Sequence, residues 1–174
     1  PRVLAHATRL AGEDDRAARF AQELALVPTT EPHVQLALSM TAASLPAPAK
    51  VELLRKLMGV VTEPITRATL IVSAGNDSPQ LFNSASGQAA TDQWLKLVLP
   101  AWTQTLREKP SVQNDAFRQA VAKLLSGELS SRGSARQVWA SALSQLPNRP
   151  TADVLLALLN EKGRADFYTF LQSH

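Results

Sequence analysis

Three histidines, His6, His33 and His174, are the side chains of this sequence best suited to proton transfer or metal binding near neutral pH. None pairs with another at helical spacing, and neither a His-Glu-x-x-His motif nor an Asp-rich calcium loop is present. No metal site or cofactor is therefore expected, and His33, directly after Pro32, reads as a surface residue of a first helical turn. Cysteine is absent, which removes disulfides, thiolate nucleophiles and thiolate metal ligands together. No Gly-x-Ser-x-Gly elbow occurs, and no Ser/His/Asp combination stands out, so no catalytic residue is assigned. Glu13, Asp14 and Asp15 form the tight carboxylate cluster, the raw material of acid–base hydrolysis. Three acids at a helix start are explained by the positive end of the helix dipole and by capping alone, which is the favoured reading.

Two further groups of residues could bind rather than react. Ser131, Arg132, Ser134 and Arg136, with Gly133 among them, precede a helix and could hold an anion on their hydroxyl, guanidinium and backbone N–H groups. The segment lacks the lysine and the spacing of a P-loop. Trp94 and Trp102, eight residues apart, share a helix face, and Trp139, Leu155 and Leu159 add large apolar side chains. Such residues pack a core by default and, where exposed, anchor a partner protein.

Charge narrows the partners. Eighteen Lys and Arg against fifteen Asp and Glu leave a net +3, and the surplus is spread along the chain. Residues 1–60 carry seven bases and six acids, residues 61–120 five and five, and residues 121–174 six and four. A nucleic-acid footprint requires clustered cations that neutralise successive phosphates. The best such reading is weak binding through Lys123, Arg132, Arg136, Arg149 and Arg164 in the C-terminal third. Arg55-Lys56 is the longest basic grouping and reads as part of a solvated helix face. No apolar run approaches the roughly 20 residues that span a bilayer.

These side chains must be positioned by helices, because apolar residues recur every three or four positions and alternating strand patterns are nearly absent. The pattern predicts helices over about 2–11, 13–27, 31–45, 48–60, 63–74, 89–108, 111–126, 134–146 and 151–162, with a short tenth holding Phe167, Phe170 and Leu171. In the fifth, Thr69, Ile71 and Val72 make a strand the competing reading. Pro100 should kink or split the sixth, Thr151 should cap the ninth, and Gly163 should end it. The ninth, with Val154 through Leu159 apolar nearly all round, reads as a central helix or one that meets a partner. Residues 75–88 and 127–133 have loop composition, and the former marks a weak sub-boundary in what otherwise reads as one domain over 1–174.

The expected fold is all-α: nine or ten short helices arranged as degenerate hairpins. They form either a solenoid-like stack of the tetratricopeptide or HEAT kind or a compact orthogonal bundle. Pro28, Pro64 and Pro100 recur every 36 residues, but no tetratricopeptide consensus can be laid over the chain. Helical hairpins create grooves for peptides and helices, so the leading expectation is a protein–protein interaction or scaffold domain whose partner is another protein or peptide segment. Its Ala-, Leu- and Gln-rich, lysine-poor make-up suggests a soluble bacterial protein of cytoplasm or periplasm, such as a region of an envelope or secretion assembly. A start at Pro1 suggests a processed or excised chain. The alternatives are a helical enzyme or small-ligand binder, whose pocket should include at least one of His6, Glu13, Asp14 or Asp15, and the weak nucleic-acid binder.

Overall fold

Helical stripes of Leu, Val and Ala fold into ten α-helices in the computed structural model, which describes residues 2–13, 20–82, 92–108, 112–130, 134–146 and 149–173. No strand occurs among the described residues, and among them no helix is long and apolar enough to cross a membrane. The chain divides into two compact units, 1–81 and 82–174, and the division falls inside the 75–88 segment whose composition marks a boundary.

The first unit holds α1 (Arg2–Glu13), α2 (Ala21–Leu26), α3 (Pro32–Ala42), α4 (Ala47–Met58) and α5 (Pro64–Ala74). Of the expected second helix, residues 14–19 lie outside the described residues. α3 packs between α1 and α5, while α4 packs on α2, α3 and α5. Helices of one parity thus stack on one another, the alternation of helical-hairpin arrays. α3 is the centre of this unit and buries Val34, Gln35, Ala37, Leu38, Ser39, Thr41 and Ala42. Pro32 at its first turn supplies a preset φ where an N–H would have no helical partner. α5 is helical despite its β-branched run, because Thr66, Leu70, Ile71 and Ala74 face the core while Ile65 and Val72 stay outside.

Basic residues of α4 fasten this unit. Lys56 Nζ donates to the Ala25 carbonyl at 2.6 Å, at the otherwise open end of α2. Arg55 donates to the Gln80 carbonyl, and Lys50 pairs with Asp77 at 3.0 Å. Arg55 and Lys56 thus lie on the outward face of α4, as expected, and from there each also donates to a carbonyl of a neighbouring segment. Their targets also correct the reading of 75–88 as loop. Residues 75–82 form a 3-10 helix that buries Ser78, Pro79, Leu81 and Phe82, and residues 83–88 lie outside the described set. Gly75 joins that helix to α5 at φ 51°, a left-handed conformation that glycine adopts without strain.

The second unit holds α6 (Asp92–Arg107), α7 (Val112–Ser130), α8 (Ser134–Ser144), α9 (Arg149–Leu156) and α10 (Glu161–Ser173). Its core is aromatic. Trp102 and Trp139 stack at 6.2 Å with planes 23° apart, and Phe82 meets both edge-on at 5.9 Å. Phe117 meets Trp102 edge-on at 6.4 Å. α6 is not split at Pro100, which sits on its exposed face.

Three boundaries differ from expectation for identifiable reasons. α7 runs through Gly127 to Ser130 because Leu129, one turn beyond Leu125, is fully buried. α9 starts at Arg149, before Thr151, and ends at Leu156. Gly163 does not end it: the Asn160 side chain accepts the Gly163 N–H at 2.7 Å and so caps the start of α10. A Cβ at position 163 would lie 3.1 Å from that Asn160 oxygen, so the buried glycine leaves room for the cap.

All three tryptophans lie in the second unit, so intrinsic fluorescence in a denaturant titration reports its unfolding. Gly127 is exposed within α7 with open space around it, and Gly127→Ala should raise stability by about 0.5–1 kcal/mol. Asn160→Ala should lower it by roughly 1 kcal/mol through the lost cap, and Trp102→Ala by roughly 3–5 kcal/mol through the lost core volume. Burial also holds the Glu128 carboxyl above its usual range. Its protonated form is therefore favoured by folding, and that contribution is full below about pH 4.5 and declines as pH rises through the raised value. Glu128→Gln should gain stability relative to the native chain between pH 4 and pH 7, as read from melting midpoints across that range; an unchanged difference refutes the assignment.

Candidate functional site

α1 and α3 come close because small side chains, Ala5 and Ala37 among them, lie between them. A buried hydrogen bond spans the two helices, with the Thr41 hydroxyl donating to the Thr8 carbonyl at 2.9 Å. Beside this seam the surface opens into a groove of about 400 Å³ lined by Ala5, His6, Arg9, His33, Leu36, Ala37 and Met40. Helical geometry explains the lining. His6 and Arg9 are one turn apart on α1, and His33, Leu36, Ala37 and Met40 follow the i, i+3, i+4, i+7 pattern of one face of α3.

The groove is chemically two-sided. Leu36, Ala37 and Met40 make an apolar floor, and Met40 remains 51% exposed. His6, Arg9 and His33 supply a nitrogen-rich rim, all three exposed. The Arg9 guanidinium lies 3.5 Å from His6 Nδ1. Among the described residues, neither a carboxylate nor a hydroxyl nucleophile lines the groove. Among the described residues no three His, Asp or Glu side chains converge on a point where a metal could be held. The arrangement is suited to recognition: a desolvating floor for an apolar group, with donors around it for acceptors.

The structure distributes the residues singled out by sequence very differently. His6 lies in the groove together with His33, which sequence reading leaves as an isolated surface residue. Glu13 closes α1, and Asp14 and Asp15 lie outside the described residues. Trp94, Trp102, Trp139, Leu155 and Leu159, all of the second unit, are buried. Ser134 is exposed at the start of α8, whereas Arg136 is half-buried and donates to the Asp166 carbonyl at 3.0 Å. Ser131 and Arg132 lie outside the described residues. Of the remaining bases proposed for nucleic acid, Arg164 donates to the Leu159 carbonyl at 3.0 Å and Lys123 is exposed. The side chain of Arg149 lies outside the description. Arg136 and Arg164 thus spend guanidinium donors on the fold.

Because the rim side chains and Met40 are exposed, they are dispensable for folding. His6→Ala, His33→Ala and Met40→Ala should each change stability by less than about 0.5 kcal/mol. A circular-dichroism melt checks this, and a large loss in any of them would show that the groove is structural. No known protein family, curated protein or solved structure matches this chain.

Proposed function

We propose that the chain is a protein–protein interaction module whose partner seats in the groove between α1 and α3. The observation that carries this reading is a half-exposed methionine on an apolar floor between two helices, edged by His6, Arg9 and His33. Leaving Met40, Leu36 and Ala37 partly hydrated costs free energy that a bound apolar side chain recovers. Methionine also adapts its shape to such a group at low cost. Stacked helical hairpins support the reading, since they present side chains of successive helices along one continuous surface. The composition that suggests a bacterial source extends the proposal to a region of a larger envelope or secretion assembly.

A second reading, a small-ligand binder, is favoured by one specific observation: His6 converges with Arg9 and His33 on the same groove.

Site-specific photo-crosslinking in cells of the source organism separates these readings. A photoreactive amino acid at position 40 should give a discrete protein adduct, and one at the exposed Glu52 of α4 should not. Equal labelling at both positions, or none at position 40, refutes the proposal. A small-molecule adduct at position 40 selects the second reading.

A further inference from the structure

We infer that Met40 is an oxidative modification site: a peroxide converts its thioether to the sulfoxide, turns the floor of the α1/α3 groove polar and releases the partner. The site itself is read from exposure and sulfur chemistry, and its effect on docking rests on the interaction reading above.

Sulfur content is the first argument. The chain has no cysteine and two methionines, Met40 and Met58. Met58 lies on the packed face of α4 and is 8% exposed, whereas Met40 is 51% exposed. An oxidant in solution therefore meets one accessible sulfur, with no thiolate to compete for it. The Met40 sulfur lone pair attacks one oxygen of hydrogen peroxide, and the O–O bond breaks as the S–O bond forms. The departing hydroxide takes up the proton of the transferred oxygen. The thioether is thereby oxidised by two electrons to the sulfoxide, and the peroxide is reduced to water.

Position supplies the second argument. Met40 lies on the face of α3 that lines the groove, beside Leu36 and Ala37. Other side chains hold α3 in its unit, among them Val34, Leu38, Thr41 and Ala42. An added oxygen at Met40 meets water in the free chain and so costs the fold little. In the docked state the same oxygen lies under the apolar group that the floor desolvates. Covering a sulfoxide in this way strips its oxygen of water, a cost the thioether does not carry. The adaptable apolar surface of the methionine is lost as well. Oxidation therefore weakens docking and spares the fold.

The test treats the purified full chain with hydrogen peroxide, removes the peroxide with catalase and locates the added oxygen by peptide mass spectrometry. Met40 should be oxidised about tenfold or more faster than Met58, with an unchanged circular-dichroism melt. A second arm places a photoreactive amino acid at position 33, on the groove rim, and adds the chain to an extract of the source organism before and after oxidation. The yield of the protein adduct should fall about tenfold on oxidation. Met40→Leu, apolar and inert to peroxide, should keep its adduct after the same treatment. Met40→Gln, polar without oxidation, should lose it untreated. Oxidation of both methionines at similar rates, or unfolding when Met40 is oxidised, overturns the modification site. An adduct that survives oxidation of Met40, or that Met40→Leu loses equally, overturns the effect on docking and leaves the groove as interaction site. No adduct from the unoxidised chain overturns the interaction reading and the effect on docking together.

Discussion

The placement of α3 inside the first unit is the constraint on which the rest of that unit depends. Seven of its side chains are buried, and Gln35, Ser39 and Thr41 among them are polar. Burying such groups is costly unless each finds a partner. Each does: Gln35 donates to the Thr29 carbonyl at 2.7 Å, Ser39 to the Gln35 carbonyl at 2.8 Å, and Thr41 across to Thr8 of α1 at 2.9 Å. The last bond also sets a distance. Helices separated by large side chains sit about 8–10 Å apart, and a threonine hydroxyl reaches a neighbouring helix's carbonyl only when the contact is made by small residues. Ala37 and Ala42 meet that requirement, so a centre of small and satisfied polar groups draws α1 against α3. The groove is the by-product of that approach, and its rim is held by the same seam.

Basic side chains perform a second structural task, and this changes the meaning of the high isoelectric point. Lys56 closes α2, Arg55 and Lys50 hold the 3-10 helix, and Arg67 Nε reaches the Val61 carbonyl at 3.2 Å. In the second unit Arg118 donates to the Leu106 carbonyl at 3.2 Å, and Arg136 and Arg164 do likewise to Asp166 and Leu159. Apart from Asp166, which lies within α10, the accepting carbonyls sit at or just beyond helix ends, where a long cationic side chain supplies a partner the helix lacks. Cations used in this way are dispersed by the positions of helix ends. A diffuse +3 is the result. The Arg9 guanidinium lies 3.5 Å from His6 Nδ1 at a groove edge.

The amphipathic helices were legible because their apolar stripes repeat at the helical period, as in α4 with Val51, Leu54, Leu57 and Met58. The centre of the first unit was not, since α3 is buried through Ser, Thr, Gln and Ala, and its stripe has no polar opposite face to contrast with. Local composition misled at 75–82, where Gly, Asn, Asp and Ser resemble a loop and only tertiary clamping by Lys50 and Arg55 reveals a packed 3-10 helix. It misled again at Gly163, a usual stop signal, which here admits the Asn160 cap of the next helix. The groove lay beyond sequence reading for a different reason. His6 and His33 belong to separate helices, and their common site exists only because α3 stacks on α1 with α2 excluded from between them. The one local hint was the face His33–Leu36–Ala37–Met40, which reads as an ordinary apolar stripe until its neighbour is known.

The two units solve the packing problem with different materials, and that difference bears on where recognition can reside. Flat, rigid rings fill the second unit: Trp102 and Trp139 stack, Phe82 meets both edge-on and Phe117 meets Trp102 edge-on. Bulky rings consume interior volume efficiently, and Trp102 and Trp139 are used in this way. The first unit has an aliphatic and small-residue core, with Phe20 exposed as its described aromatic side chain. Small residues bring backbones together, and two cylinders in close contact leave a furrow along their seam whose depth depends on the side chains flanking it. With Ala5 and Ala37 at the seam and Met40, His6, Arg9 and His33 flanking it, that furrow is shallow, apolar at the base and polar at the edge. Such a shape suits side chains delivered on a peptide, which bring their own backbone to cover the opening.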